Sequence, residues 1–133
     1  MEWMLPKGRK NVSEELEQTA RRETFEETGY HCFLLPHTFG TLATSGPSRG
    51  PSSSVSVTTE PFAMTQRTTN GVLKVIFWYL AQGDSTMPRM ANTQMPDEDF
   101  QSKWIHGDQV LETLTYPDDR AVAKKAIEYK MKY

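Results

Sequence analysis

The stretch that decides the fold reads GRKNVSEELEQTARRETFEETGY and spans residues 8–30. It predicts a helix from about Glu15 to Thr28, because Ser13 or Glu15 can cap its start and the glutamates near that start favour the positive end of the helix dipole. Gly29 follows where a residue in the left-handed conformation commonly ends a helix. We therefore expect the fold to be organised around this helix.

Three glutamates of this helix, Glu23, Glu26 and Glu27, are spaced three and four positions apart. At 100° per residue they fall within an arc of roughly 100°, so their carboxylates share one side of the helix. Because like charges at this separation repel, a cation among them would be stabilising, and Mg²⁺ prefers such oxygen ligands. The alternative is a solvated face on which Arg21 and Arg22 form weak surface ion pairs. The spacing alone leaves both interpretations open.

Further elements are predicted on both sides of the helix. Residues 1–7 resemble the end of a strand, and residues 30–35 (YHCFLL) are apolar enough for another. Residues 72–81 (VLKVIFWYLA) are nearly continuous in β-branched and aromatic side chains, which predicts a central strand buried on both faces. Residues 100–105 (FQSKWI) alternate like a half-buried strand, and a helix is predicted over residues 117–133. This order of elements predicts an α+β fold.

Two stretches lack a regular pattern. Residues 38–59 are rich in Ser, Thr, Gly and Pro, and residues 83–99 contain Pro88, Pro96 and three methionines. Neither stretch offers enough apolar surface to offset the entropy of ordering it, so both are predicted to be flexible insertions. The rest of the 133 residues has the length of one domain, and we expect residues 1–133 to form a single domain with these insertions.

The composition limits the class of protein. The formal net charge is −2, which does not predict general nucleic-acid binding, and no apolar run reaches the ~20 residues of a membrane span. The single cysteine, Cys32, fits a reducing compartment and is expected to be packed rather than catalytic. No signal-peptide pattern is present at the N-terminus. The expected location is the cytoplasm, with the nucleus as the alternative.

The whole stretch 8–30 resembles the box of the Nudix hydrolase family. That box is a glycine, five residues, a glutamate, seven residues, Arg-Glu, an apolar residue, any residue, Glu-Glu, any residue, glycine and an apolar residue. The positions on this pattern are Gly8, Glu14, Arg22, Glu23, Glu26, Glu27, Gly29 and Tyr30. Thr24 replaces the usual aliphatic residue, a mild departure because threonine still has a methyl group to pack.

The resemblance implies an α/β/α sandwich around a mixed sheet and the Mg²⁺-dependent hydrolysis of a diphosphate linkage, with Mn²⁺ as an alternative metal. Glu23 and Glu27 would be the principal metal ligands, and Glu26 would be a ligand or the acceptor of a proton from water. Glu26 and Glu23 would be the catalytic residues, and the Lys7 carbonyl a further ligand. Arg22 would brace the box by pairing with its glutamates, while its glycines would have structural roles.

The residues before the box, Trp3 to Lys10, resemble members that act on diadenosine polyphosphates and diphosphoinositol polyphosphates. Lys7, Arg9 and Lys10 put three positive charges beside the box, which suits the extended polyphosphate of a small phosphorylated substrate. The alternative is that one or two of them only pair with Glu14 or Glu15.

Several other residues are weaker candidates because their positions in space cannot be deduced from the sequence. Glu98 would be either an additional distant carboxylate of the site or a solvated loop charge. Aromatic side chains would either stack a base or belong to the core. The remaining basic and aromatic candidates are Arg49, Arg67, Lys74, Trp78, Tyr79 and Trp104.

Only seven residues precede Gly8, whereas the box of family members begins several tens of residues into the domain, after strands that complete the sheet. The fold is therefore expected to be N-terminally incomplete, with apolar sheet surface and an exposed edge. Self-association through that edge is one way to cover it. The metal site is expected to form while substrate binding is weakened. The alternative functions are a catalytically weak Nudix-like module that binds a phosphorylated ligand or partner protein, and a purely structural helical surface.

Overall fold

A computed structural model describes residues 1–39 and 58–132 of the chain, so most of the predicted insertion 38–59 lies outside the described residues. The described elements confirm the α+β class. They are α1 (Leu16–Thr28), β1 (Cys32–Leu34), β2 (Ala63–Thr69), β3 (Val72–Trp78), β4 (Ala81–Gly83), a 3₁₀ turn (Gly107–Gln109), α2 (Val110–Thr113) and α3 (Pro117–Lys132). No helix of the described residues is long and apolar enough to cross a membrane.

Helix α1 begins and ends where its sequence predicts. Glu15 stands at its N-terminal cap, and the Glu15 N–H donates to Oε1 of Gln18 at 3.0 Å. Gly29 ends the helix with a φ of 78°, and its N–H donates to the Phe25 carbonyl at 2.8 Å. A left-handed residue is favourable here only as glycine, because a Cβ atom would also meet the Met90 carbonyl oxygen at 2.4 Å.

The strands form two antiparallel pairs. Strands β2 and β3 make a hairpin around Asn70 and Gly71, whose φ angles of 53° and 76° suit the two-residue turn that matches the strand twist. Strand β1 pairs with β4, which follows β3 closely in the chain. Within residues 1–39 and 58–132 these pairs make two separate sheets, where the family resemblance implied one mixed sheet.

The core lies between the β2–β3 hairpin and helix α3. It is built on Phe62, Trp78 and Val122, each of which is 5–6% exposed. Ile76 of β3 and Ala126 of α3 pack against them. One face of the hairpin is thus covered by the C-terminal helix.

The opposite face of β3 is exposed, so the prediction of a strand buried on both faces is wrong. Leu73, Val75 and Phe77 are 59%, 44% and 43% exposed. Alternate residues of a strand point to opposite faces, and α3 covers only the face of Ile76 and Trp78. The apolar run correctly predicts a strand, because these residue types favour β-strands. Burial of the strand depends on the elements that pack on it, and the described residues cover only one of its faces.

Two other predicted strands are absent from the described structure. Residues 1–7 have no regular secondary structure and bond to the C-terminal part of the chain instead of a strand. The Trp3 N–H donates to Oγ1 of Thr115, and the Trp3 carbonyl accepts from the Thr115 N–H. Residues 100–105 are irregular because their polar groups bond to α1 and to the 84–99 segment, as Ser102 Oγ does to the Glu27 carbonyl at 3.1 Å. The flexibility of residues 83–99 stays a prediction.

Candidate functional site

Arg22 lies at the centre of the glutamate cluster and braces it. Its guanidinium bonds both oxygens of Glu14, at 2.7 and 3.0 Å, and one oxygen each of Glu23 and Glu26, at 2.9 and 3.1 Å. It also donates to the Arg9 carbonyl at 2.9 Å, which ties the loop before α1 to the helix. Mainly because of the Arg22 hydrogen bond, the pKa of Glu14 is lowered to about 2. The geometry is that of a structural cation that joins three carboxylates and holds Glu14 charged.

Glu27 has a different environment. It is half-buried, and its Oε2 accepts from the Lys7 N–H at 3.2 Å. Burial raises the pKa of Glu27 to about 7, and the negative charges of Glu23 and Glu98 add to this rise while the Lys7 N–H opposes it. Burial likewise raises the pKa of Glu23. A second positive charge near these carboxylates would therefore be stabilising.

Glu98 belongs to the irregular stretch 83–99. It lies close enough to Glu23 and Glu27 for its negative charge to raise the pKa of both. It is half-buried, and its Oε1 accepts from the Met95 N–H at 2.9 Å. This position differs from that of a freely solvated loop charge, the alternative that the sequence left open.

The carboxylate oxygens of these residues are suitable ligands for a hard divalent cation, although the carboxylates do not all converge on one point. No three acidic, histidine or cysteine side chains in residues 1–39 and 58–132 are grouped so that they could hold a metal ion. Arg22 occupies oxygens of Glu23 and Glu26, and Lys7 occupies one of Glu27. The donors near Glu27 are nevertheless carboxylate oxygens, which Mg²⁺ prefers as ligands. The pKa values of Glu23 and Glu27 are both raised, so a cation beside them would be stabilising.

Gly8 packs directly against Glu23. A Cβ atom at position 8 would lie 1.9 Å from Cδ of Glu23 and 2.2 Å from its Oε2. Any larger residue would have to displace this carboxylate, so the conformation of the loop and the position of the carboxylate depend on each other.

The C-terminal end of α1 is held by residues 89–102, to which the sequence assigned no role at the site. The last carbonyls of a helix lack partners within it, and here residues 89–102 supply them. Arg89 bonds the carbonyl of Thr28, Met90 that of Gly29, Thr93 that of Glu26, and Gln94 and Ser102 both bond that of Glu27, at 2.9–3.1 Å. These bonds fix the turn of helix that carries Glu26 and Glu27.

Gln94 is the most connected residue of this segment, and replacing it tests its contribution. Its Nε2 donates to the carbonyls of Glu27 and Phe100 at 3.0 and 2.8 Å, and its Oε1 accepts from the Phe100 N–H at 2.8 Å. Gln94→Ala is expected to lower the free energy of unfolding by about 1–3 kcal/mol, measured by urea denaturation. Gln101→Ala, a change of the exposed glutamine nearby, is the control and should have little effect. Equal stability of the two variants would contradict this role for Gln94.

A cavity of about 430 Å³ lies beside the glutamates, between the loop before α1, helix α1 and strands β1 and β3. The three basic residues of the loop, Lys7, Arg9 and Lys10, line it together with Glu23 and with Lys74 of β3. The structure thus brings the predicted basic residues and one of the predicted metal ligands to a common cavity.

The remaining candidates are placed elsewhere or are engaged in packing. Trp78 is buried and donates from Nε1 to Thr65 at 2.9 Å, and Trp104 packs edge-on against Tyr30. Arg67 pairs with two aspartates of α3. Tyr79 and Cys32 border the cavity; burial raises the pKa of both. Arg49 lies outside the described residues.

Comparison with protein-family models matches residues 1–126 of the chain to the NUDIX domain. The matched range contains α1, all four described strands and most of α3. No curated protein matches the chain.

Proposed function

The chain belongs to the Nudix family of diphosphate hydrolases, and from this premise we propose that it cleaves, with Mg²⁺, a diphosphate linkage in an inositol or nucleoside polyphosphate. The substrates we propose are of the diphosphoinositol polyphosphate or diadenosine polyphosphate type. The observation that carries the proposal is the common cavity, where Glu23 lies with Lys7, Arg9 and Lys10. A cation site beside the basic loop (residues 7–10) suits such a substrate, because the cation can bind the diphosphate and the basic side chains can bind the other phosphates.

In the proposed mechanism Glu23 and Glu27 would hold Mg²⁺, or alternatively Mn²⁺, and the Lys7 carbonyl would be a further ligand. When bound, such a cation neutralises diphosphate charge and lowers the pKa of a coordinated water. Glu26 accepts the proton of the attacking water after it exchanges its contact with Arg22 for one with the water. Arg22 retains Glu14, which keeps the loop and helix together while the other carboxylates change partners.

The basic loop orients the substrate in this proposal. Lys7 is half-buried, and Arg9 and Lys10 are exposed. Among the described residues, no carboxylate forms an ion pair with any of the three. Their charges are therefore available to phosphate groups, which they bind by charge-assisted hydrogen bonds.

The test is release of inorganic phosphate from a diphosphoinositol polyphosphate and of adenosine nucleotides from a diadenosine polyphosphate by the purified chain, with Mg²⁺ and with excess chelator. Release is expected with Mg²⁺ and not with chelator. Inositol monophosphate, which has no diphosphate linkage, is the control substrate and should be inert. Cleavage of neither substrate, or cleavage that continues in the presence of the chelator, would argue against the proposal.

A second candidate is a catalytically weak module that binds a phosphorylated ligand or a partner protein. It is favoured by the exposed apolar side chains of β3, which suit pairing with another chain, including a second copy. Sedimentation equilibrium tests self-association directly. Binding of these substrates without turnover in the hydrolysis assay would favour this candidate over the hydrolase.

A further inference from the structure

Lys74 is a lysine in an unusual place, in the middle of strand β3 and on the same face as Ile76 and Trp78 of the core. It is half-buried and lines the cavity that contains Glu23. Within residues 1–39 and 58–132, no carboxylate lies within ion-pair distance of its ammonium group. Lysines in such positions are usually paired or reach bulk water along their stems.

The residue opposite Lys74 on β2 makes this lack of a partner more significant. Arg67 is its direct cross-strand neighbour, and like charges in that relation destabilise a sheet. Arg67 is neutralised by Asp118 at 2.8 Å and by Asp119 at 2.7 Å. Two cations thus face each other on the sheet, and the carboxylates of α3 compensate only one of them.

We propose that Lys74 binds a phosphate group of the substrate outside the cleaved diphosphate, so that the site selects ligands with several separate phosphates. The uncompensated charge of Lys74, the basic loop and Glu23 border the same space. A ligand that occupies this cavity beside Glu23 can therefore also contact Lys74 with another phosphate. The ligand class is a small molecule with several separate phosphate groups.

The basic side chains of the cavity wall favour a phosphate-rich ligand. Four cations line the cavity, namely Lys7, Arg9, Lys10 and Lys74. A polyphosphorylated ring uses more of these groups than a substrate that carries only the cleaved diphosphate.

The experiment measures binding of inositol hexakisphosphate, as a probe with many phosphates, by calorimetry in metal-free buffer. Lys74→Met keeps most of the aliphatic stem and removes the charge, and should weaken binding by about 10- to 100-fold. Lys74→Arg should retain most of the affinity. Lys124→Met changes a lysine that is 64% exposed on α3 and should bind like the unaltered chain. Circular dichroism checks folding, and Lys74→Gln replaces the methionine variant if that one does not fold.

A kinetic arm separates this inference, which rests on the proposed function for its substrate, from that function itself. Lys74→Met should raise KM for a diphosphoinositol polyphosphate with little change in kcat, because Lys74 binds substrate and takes no part in the chemical step. If the unaltered chain cleaves neither a diphosphoinositol polyphosphate nor a diadenosine polyphosphate, the proposed function fails and the binding arm alone decides the role of Lys74. Unchanged affinity for inositol hexakisphosphate in Lys74→Met, or equal losses in Lys74→Met and Lys124→Met, would overturn the inference.

Discussion

Glu27→Gln is expected to lower Mg²⁺-dependent hydrolysis by at least about 100-fold while the fold stays intact. Glu27 is proposed as a principal metal ligand, and an amide oxygen is a much weaker ligand for Mg²⁺ than a carboxylate. Glutamine can still accept the Lys7 N–H, so the bond between the basic loop and α1 can survive. Its neutral side chain also removes a carboxyl group whose pKa burial raises to about 7.

The stability of the variant therefore distinguishes a metal ligand from a structural carboxylate. In metal-free buffer at pH 8 the melting temperature of Glu27→Gln should equal or exceed that of the unaltered chain, because a buried charge has been removed. The heat of Mg²⁺ binding in a calorimetric titration should be lost. Glu17→Gln, on the exposed side of the same helix, should leave the heat of Mg²⁺ binding unchanged. If Glu27→Gln binds Mg²⁺ and turns over normally, the proposed role of Glu27 is wrong.

Local signals were sufficient to predict the two long helices. The cap of α1 and its terminal Gly29 determine where that helix begins and ends, and Pro117 begins α3 as expected. Strand β2 was missed although a signal was present. Asn70 and Gly71 are a strong hairpin dipeptide next to β3, and that hairpin implies a strand on its other side.

Features that depend on contacts between distant parts of the sequence could not be predicted. The segment 100–105 alternates like a strand, but bonds such as that of Ser102 to α1 determine its conformation. The carboxylates of the candidate site follow from helix periodicity, since their spacing is local. Gln94, Glu98 and Lys74 come from segments distant in sequence, and only the tertiary arrangement brings them to the same region. No spacing rule connects such residues.

Asp119→Ala is expected to lower the free energy of unfolding by about 2–4 kcal/mol, less than the roughly 3–5 kcal/mol for breaking a fully buried ion pair because Arg67 keeps Asp118. Asp119 is 1% exposed and accepts from Arg67 at 2.7 Å and from the Leu5 N–H at 3.2 Å. Its loss leaves the Leu5 N–H without this acceptor and Arg67 with Asp118 alone. Because Leu5 leads into Lys7 and Gly8, the change should also loosen the basic loop beside the cavity.

Urea denaturation measures the loss, and two further variants define its origin. Asp119→Asn keeps an acceptor for the Leu5 N–H and loses the charge, so it should fall between Asp119→Ala and the unaltered chain. Asp97→Ala removes a carboxylate on the exposed part of the 84–99 segment and should change stability by less than about 0.5 kcal/mol. If Asp119→Ala were no more destabilising than Asp97→Ala, the Leu5–Asp119–Arg67 contacts would not be what joins the basic loop to α3. The loop would then have to be held by the Trp3–Thr115 bonds, by the Lys7–Glu27 bond and by Arg22.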